Sequence, residues 1–266
     1  MATTILKPEA LVGKRIRRKE DPRLITGAAT YVDDIQMPGM HHACILRSPH
    51  AAAKIRSLNV EAARRRPGVV AVFTGADVAG VGPVPCGASL PGLRVPPHSI
   101  LATDRVYFVG HPVAVVVATD RYVAADGVDL IEVDYEPLSA VADPEKALES
   151  GAPAVHPQWP DNIALTYHQE GGEPEKAFAA AEVVVKQRIT SQRLVPTAME
   201  TRGVVAEYRA HNLTLWSSTQ IPHLLRTLVA MMLGLPEHQT RVITPEVGGG
   251  FGSKLNVYAE EASWVS

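Results

Sequence analysis

A chain of 266 residues, 46% of them hydrophobic and 20% charged, has enough apolar material for one large domain or two ordinary ones. Its formal net charge of −2 excludes a general nucleic-acid binder, which would show a basic patch or a high pI. Two cysteines, Cys44 and Cys86, with no CxxC pair, exclude an iron–sulfur cluster held by this chain.

The first twenty residues are polar and aperiodic. Their basic cluster, 14–19, reads as a solvated arm or a subunit contact. Residues 21–32 read as extended. Strands are expected at 41–47 and 54–60, a short helical turn at 61–66 ended by Pro67-Gly68, and a buried strand at 69–74 (VVAVFT). Dense Gly and Pro mark 81–97 as a loop. PVAVVVAT, 112–119, is the clearest strand signal. Asp120 can N-cap a helix running through Asp129, and 131–135 alternates apolar and acidic residues as a half-buried strand does.

Five Pro and Gly residues between 141 and 161 suggest an inter-domain connection. Beyond it, strands are expected at 162–169, 183–190, 203–208, 213–217 and 240–244. Helices are expected at 174–181, with Pro174 near its first position, and at 222–233, ending at Gly234. In the second helix Leu225, Leu228, Val229 and Met232 share one face. A last helix is expected at 253–264, its apolar side in need of a covering surface. The division is thus an arm at 1–20, a first domain at 21–140, a linker at 141–161 and a second unit at 162–266. The fold class is α+β. The N-terminus lacks a signal-peptide pattern, and the longest apolar run, near 228–235, is too short to span a bilayer; both point to the cytoplasm.

The densest chemical signal is ITPEVGGGFGSKL, 243–255, in which Gly248, Gly249, Gly250 and Gly252 surround Phe251. A strand, a glycine loop and a helix start in succession would present backbone N–H groups to an anion. The loop is not a P-loop. Ser253 stands where the glycine before Lys254 is required, and Leu255 replaces the hydroxyl residue that would hold magnesium. Nor does it fit the dinucleotide fingerprint, which belongs to the first strand–helix unit. Taken alone, it is equally a structural glycine turn.

Other candidates carry a plain reading beside a functional one. Gln220, at a strand end before a helix, offers an amide donor and acceptor, or is simply a polar loop residue. Glu200, in AMETRG, is either a surface partner of Arg202 or a carboxylate that orders a cofactor-facing loop. The ten histidines contain neither HExxH nor HxH, and His41 and His42 on a strand would point to opposite faces, so no protein-ligated metal is expected. No GxSxG elbow or complete catalytic constellation is present.

The order of these segments resembles the N-terminal part of the large subunit of the molybdenum hydroxylases: the xanthine dehydrogenase, aldehyde oxidase and aerobic carbon monoxide dehydrogenase enzymes. ITGAATYVDDIQMPGMHHACILRSPHAAAKI (25–55) and VGHPVAVVVATDRYVAADGVDLIEVDYEPL (109–138) look like the two ends of their α/β hammerhead domain. AMETRGVVAEY (198–208), LTLWSSTQIPHLLRTLVAMMLGLPEHQTRVI (213–243) and VGGGFGSK (247–254) resemble the start of their molybdopterin-binding domain.

The resemblance implies an oxidoreductase that oxidises an aldehyde, carbon monoxide or another small substrate with water as the oxygen source. Its cofactor is molybdopterin, or the cytosine dinucleotide form used in many bacteria. FAD and 2Fe-2S clusters would sit on separate medium and small subunits, in accord with the lack of cysteines here. By the same resemblance Gln220 matches the glutamine whose amide faces an oxo ligand of molybdenum. Gly249, Gly250, Phe251 and Gly252 match the loop around the metal end of the cofactor. Leu255 stands where purine-oxidising members carry glutamate, which disfavours xanthine. The family's catalytic base, its substrate loop and most of the cofactor cage lie beyond the matched region, so no catalytic residue is expected in this chain. Alone it should be inactive, and a non-catalytic assembly role is the alternative. Its remaining partner would be the rest of the large subunit.

Overall fold

The computed structural model describes residues 12–258. The chain opens with a short helix, α1 (Asp21–Ile25), and a 3-10 turn (Val32–Asp34), where the sequence suggested extended backbone. Pro22 sits in the first turn of α1, where its missing N–H costs nothing, and Asp21 complements the helix dipole.

The first unit holds two three-stranded antiparallel sheets. One has the order β1 (His42–Arg47), β5 (Pro112–Ala118), β3 (Val69–Thr74). The other has β4 (Arg105–Val106), β2 (Ala53–Asn59), β6 (Glu132–Pro137). The helices are α2 (Glu61–Arg64) and α3 (Arg121–Asp129). Strand β5 is central and covered on both faces, which explains its continuous apolar run. Ala114 and Val116 face a core with Val60, Ala63, Val72 and Ile131. Val113 faces the second sheet, against Ala53, Ala102 and Val106. Asp120 caps α3 as expected: its carboxylate accepts from the N–H groups of Tyr122 and Val123, both at 2.9 Å.

The connection at 141–161 carries one 3-10 turn, Lys146–Leu148. Asn162, at φ 55°, staples it: its Nδ2 donates to the carbonyls of Ala147 and Pro153, and its Oδ1 accepts from Val155 N–H. Arg94 of the long loop pairs with Asp161 at 2.7 Å.

Helix α4 (Pro174–Ala180) forms close to the expected range. The strands expected at 162–169 and 183–190 do not form; both stretches are irregular and have no ladder partner among the described residues. The second unit's sheet has the order β7 (Val204–Arg209), β8 (Asn212–Ser217), β9 (Thr240–Ile243). Strands β7 and β8 form a tight hairpin through Ala210 and His211, both at positive φ as a two-residue I′ turn requires. Strand β9 lies parallel to β8, so the connection must cross over, and helix α5 (Pro222–Leu233) makes that crossing. Gly234 closes α5 in the left-handed conformation at φ 64°.

Leu225, Val229 and Met232 of α5 are buried with Leu213 and Leu215 of β8, as the periodicity predicts. The same cluster contains Val78, Ile100, Leu101 and Val115 of the first unit. One apolar core therefore runs across both units.

The helix expected at 253–264 is corrected where the structure describes it. Residues 251–254 are turns and 255–256 a bend; the rest of that expectation, including Trp264, lies outside the described residues. The α+β mixture expected from the sequence is what is seen.

Candidate functional site

Because β8 and β9 are parallel, Trp216 lies opposite Ile243 and both strands end on the same edge of the sheet. The chain leaves β8 through Ser218, Thr219 and Gln220, and it leaves β9 toward the glycine loop. Parallel strands of this kind place ligand sites outside their carboxyl ends. Two segments distant in sequence thus meet for a topological reason.

They are joined by hydrogen bonds. Gln220 Oε1 accepts from the N–H groups of Gly252 (3.1 Å) and Lys254 (3.3 Å), and Gln220 N–H donates to the Lys254 carbonyl at 2.9 Å. Two donors on Oε1 set the orientation of the carboxamide, and its Nε2 enters no hydrogen bond among the described residues, on an exposed side chain. A Cβ at Gly250 would lie 2.5 Å from Gln220 Cδ, and one at Gly248 would lie 2.5 Å from Glu200 Cβ. Gly249 and Gly252 take φ of 102° and 85°, values that side-chain-bearing residues rarely adopt. Glycine is therefore required here by contact and by conformation. Phe251 also has positive φ, at 48°, and its ring is largely exposed. A non-glycine residue at such an angle is held by its surroundings at a cost.

Under the loop lies a charged cluster. Lys254 is 2% exposed. Its ammonium has three acceptors for its three protons: Ser218 Oγ (2.7 Å), the Glu200 carbonyl (2.9 Å) and Glu200 Oε2 (3.1 Å). Glu200 Oε2 also accepts from Ser218 Oγ at 2.6 Å and from Gly248 N–H at 2.7 Å. Burial pushes the Glu200 carboxyl upward, but the bonds from Ser218, Gly248 and Lys254, together with the Lys254 charge, outweigh this and hold it below its ordinary value of 4.5. Of the two readings of Glu200, the surface pair with Arg202 is not seen and the carboxylate contacts the loop. Arg202 lies over the Tyr258 ring, 3.6 Å from its centroid, and Glu200 turns inward to Lys254. Lys254 and Ser218 are the functional neighbours that sequence reasoning missed.

Among the described residues no helix directly follows the loop, so that part of the expectation falls. The backbone part remains. Gly248, Gly252, Ser253 and Lys254 use their N–H groups internally. The N–H groups of Gly249, Gly250 and Phe251 enter no hydrogen bond among the described residues. These three amides and the Gln220 Nε2 make a compact donor set suited to an anionic, oxo-bearing cofactor. No group of three or more metal-ligating side chains occurs among the described residues.

Comparison with known proteins gives this geometry a context. Residues 26–139 match the family described as "Aldehyde oxidase and xanthine dehydrogenase, a/b hammerhead domain", and residues 155–265 match "Molybdopterin cofactor-binding domain". The chain is 41% identical to the carbon monoxide dehydrogenase large chain of Afipia carboxidovorans, over 97% of this chain and 33% of that one. It is 39% identical to the nicotine 6-hydroxylase large subunit of Paenarthrobacter nicotinovorans, over 94% of this chain and 31% of that one. Among solved structures, quinoline 2-oxidoreductase from Pseudomonas putida 86 superposes with a TM-score of 0.83 at 39% identity, covering 94% of this chain and 32% of that one. The chain thus spans about a third of the length of these relatives. With both domain patterns present in the order found in those large subunits, the chain belongs to the molybdenum hydroxylase large-subunit family and corresponds to its N-terminal portion, a hammerhead domain followed by the start of a molybdopterin-binding domain.

Proposed function

We propose that this chain forms one wall of the molybdopterin site in the large subunit of a hydroxylase or dehydrogenase acting on a small substrate. The observation that carries the reading is the donor set at the ends of β8 and β9: Gln220 Nε2 and the unengaged amides of Gly249, Gly250 and Phe251. When bound, the cofactor supplies a molybdenum centre able to accept two electrons from the substrate while water provides oxygen. The residues of this chain bind and orient. Gln220 offers N–H donors, the glycine loop offers backbone donors, and the exposed Phe251 ring stands as a wall toward substrate. Glu200, Ser218 and Lys254 hold the loop from beneath.

The relatives are named for carbon monoxide, nicotine and quinoline. With Leu255 beside the loop, we place the substrate among small neutral molecules: an aldehyde, carbon monoxide or a comparable compound, rather than xanthine. Electrons would pass to FAD and 2Fe-2S clusters on partner subunits, and the cofactor would be molybdopterin or its cytosine dinucleotide. In support, the relatives are named as a large chain and a large subunit, and this chain has only two cysteines. No helix among the described residues is long and apolar enough to cross a membrane, and we place the protein in the cytoplasm. The stapled stretch at 141–161 serves as the connection between the two units in this reading.

Gln220→Glu tests the assignment in the protein assembled with the rest of a large subunit. It keeps an acceptor for Gly252 and Lys254 but removes the Nε2 donors. Turnover should fall by about 10²-fold, the usual effect of losing one such donor, with thermal stability unchanged. Full turnover with cofactor retained would remove Gln220 from the site.

A further inference from the structure

Glu246, two residues before Gly248, bonds to a residue 216 positions away in sequence. The contact begins at the end of α1. There Gly27 takes φ 72°, and Ala28 N–H donates back to the Arg23 carbonyl at 2.9 Å, so the helix closes in a tight left-handed turn. The turn brings Arg23 and Thr30 to one carboxylate. Glu246 N–H donates to the Thr30 carbonyl at 3.1 Å, Thr30 N–H donates to Glu246 Oε2 at 3.4 Å, and Arg23 Nε pairs with Glu246 Oε1. The segment that makes these bonds is itself held in both units. Val32 is 4% exposed, and a Cβ on Gly203, just before β7, would lie 3.4 Å from it. Asp33 pairs with Arg121 of α3 at 2.9 Å. On its other side the loop entry is held by Glu200, which accepts from Gly248 N–H at 2.7 Å and donates its own N–H to the Gly248 carbonyl at 3.2 Å.

We infer that Arg23 and Glu246 are positioning residues for the cofactor loop: the segment 23–32 sets, through the Glu246 carboxylate, where the amides of Gly249, Gly250 and Phe251 point. Those three N–H groups make no hydrogen bond among the described residues. Their direction is therefore set by the flanks, Glu246 and Gly248 before them and Gly252 to Lys254 after them. Backbone donors serve a bound anion only when they are held in place beforehand. Arg23 and Glu246 act through the loop and not by touching the cofactor. This role rests on the proposed molybdopterin reading of the loop. It is separable from global stability. The Arg23 side chain is 55% exposed and that of Glu246 17%, and an ion pair so placed at the surface adds little to folding. Its loss should loosen the loop without unfolding the chain.

Hydrogen exchange resolved by residue tests it, on Arg23→Ala, Glu246→Gln and the double variant of the full 266-residue chain. Glu246→Gln keeps an acceptor for Thr30 and removes the charge that Arg23 meets. In each single variant the amides of Gly248 and Gly252 should exchange about tenfold faster, while the amides at 113–118 of β5 and the melting temperature stay unchanged. The double variant should be no faster than either single one, because all three lose the same pair. Unchanged loop exchange would overturn the inference. So would equal acceleration in β5, which marks a general loss of stability, or effects of the two substitutions that add. The second readout uses the chain assembled with the rest of a large subunit. Arg23→Ala should there lower both the molybdenum retained and the turnover, turnover by about tenfold, as misplaced donors do. Gln220→Glu, run beside it, separates two failures. A loss with Gln220→Glu and none with Arg23→Ala overturns the positioning role and leaves the cofactor reading standing. No loss with either, although Arg23→Ala loosens the loop, removes the cofactor reading and this role with it.

Discussion

Lys254 is the residue on which the loop depends. A lysine charge only 2% exposed would be costly to bury unless it were matched. Here Glu200, Ser218 and a carbonyl match it. Glu200→Ala should therefore destabilise by about 3–5 kcal/mol, because it strands a buried cation, whereas Glu200→Ala combined with Lys254→Met should cost much less. Urea denaturation of the single and double variants checks this; equal losses would mean the charges are not coupled. The pH dependence has a definite sign. Glu200 is held below 4.5, so its contribution is fully present above that pH and is lost as pH falls through the lowered value. Glu200→Gln should flatten that acid limb. The sequence reading found Gln220 and the glycines through motif order, and it suggested that Glu200 could order the loop. It missed Lys254 because a lysine after a glycine loop is normally a phosphate ligand or a solvated charge; only the approach of β7, β8 and the loop turns it inward.

Strand β5 and helix α3 show how an element is specified by more than its own period. Gly127 lies in α3, and a Gly→Ala change in a helix ordinarily stabilises by up to about 1 kcal/mol. At this position a Cβ would stand 2.8 Å from Val116 Cγ1, on a fully buried side chain of the central strand. Overpacking costs about 1–3 kcal/mol and should win, so Gly127→Ala should lower the melting temperature. An increase would show that the sheet yields.

At the start of β5, His111 is 3% exposed, stacked on Phe108 with His98 edge-on. Its Nδ1 accepts from Tyr107 N–H, and burial first, then the neighbouring His98, pulls its pKa down to about 4. The unfolded chain binds this proton more readily. The contribution is complete above about pH 6.5 and declines toward pH 4, at about 1.4 kcal/mol per unit of difference. His111→Asn, which retains an acceptor but cannot be protonated, should remove that slope from a stability–pH profile; an unchanged slope would assign it to other groups. The elements around β5 were legible because each closes its contacts within the chain. The strands expected at 162–169 and 183–190 were not realised. Their β-prone residues find no partner among the described ones, and a strand exists only through its neighbour.

At the scale of the whole molecule, a single apolar cluster joins Val115 of the first unit to Leu215, Leu225 and Val229 of the second. Composition and proline density can suggest two units but cannot reveal that their cores merge, since that depends on which face of β5 turns outward. The merger fixes the hammerhead unit against the sheet that carries Gln220 and the glycine loop. The chain nonetheless spans about a third of its relatives, and in the proposed function its donor set is one wall of a site.

The central claim is that this wall takes molybdopterin only when the rest of the large subunit closes over it. The direct measurement is molybdenum content by elemental analysis, together with the pterin released on acidification, for the isolated 266-residue chain and for the same chain assembled with the remaining large-subunit segment. The account predicts negligible molybdenum in the first and near-stoichiometric molybdenum in the second. Stoichiometric metal in the isolated chain, or none in the assembled one, would contradict it.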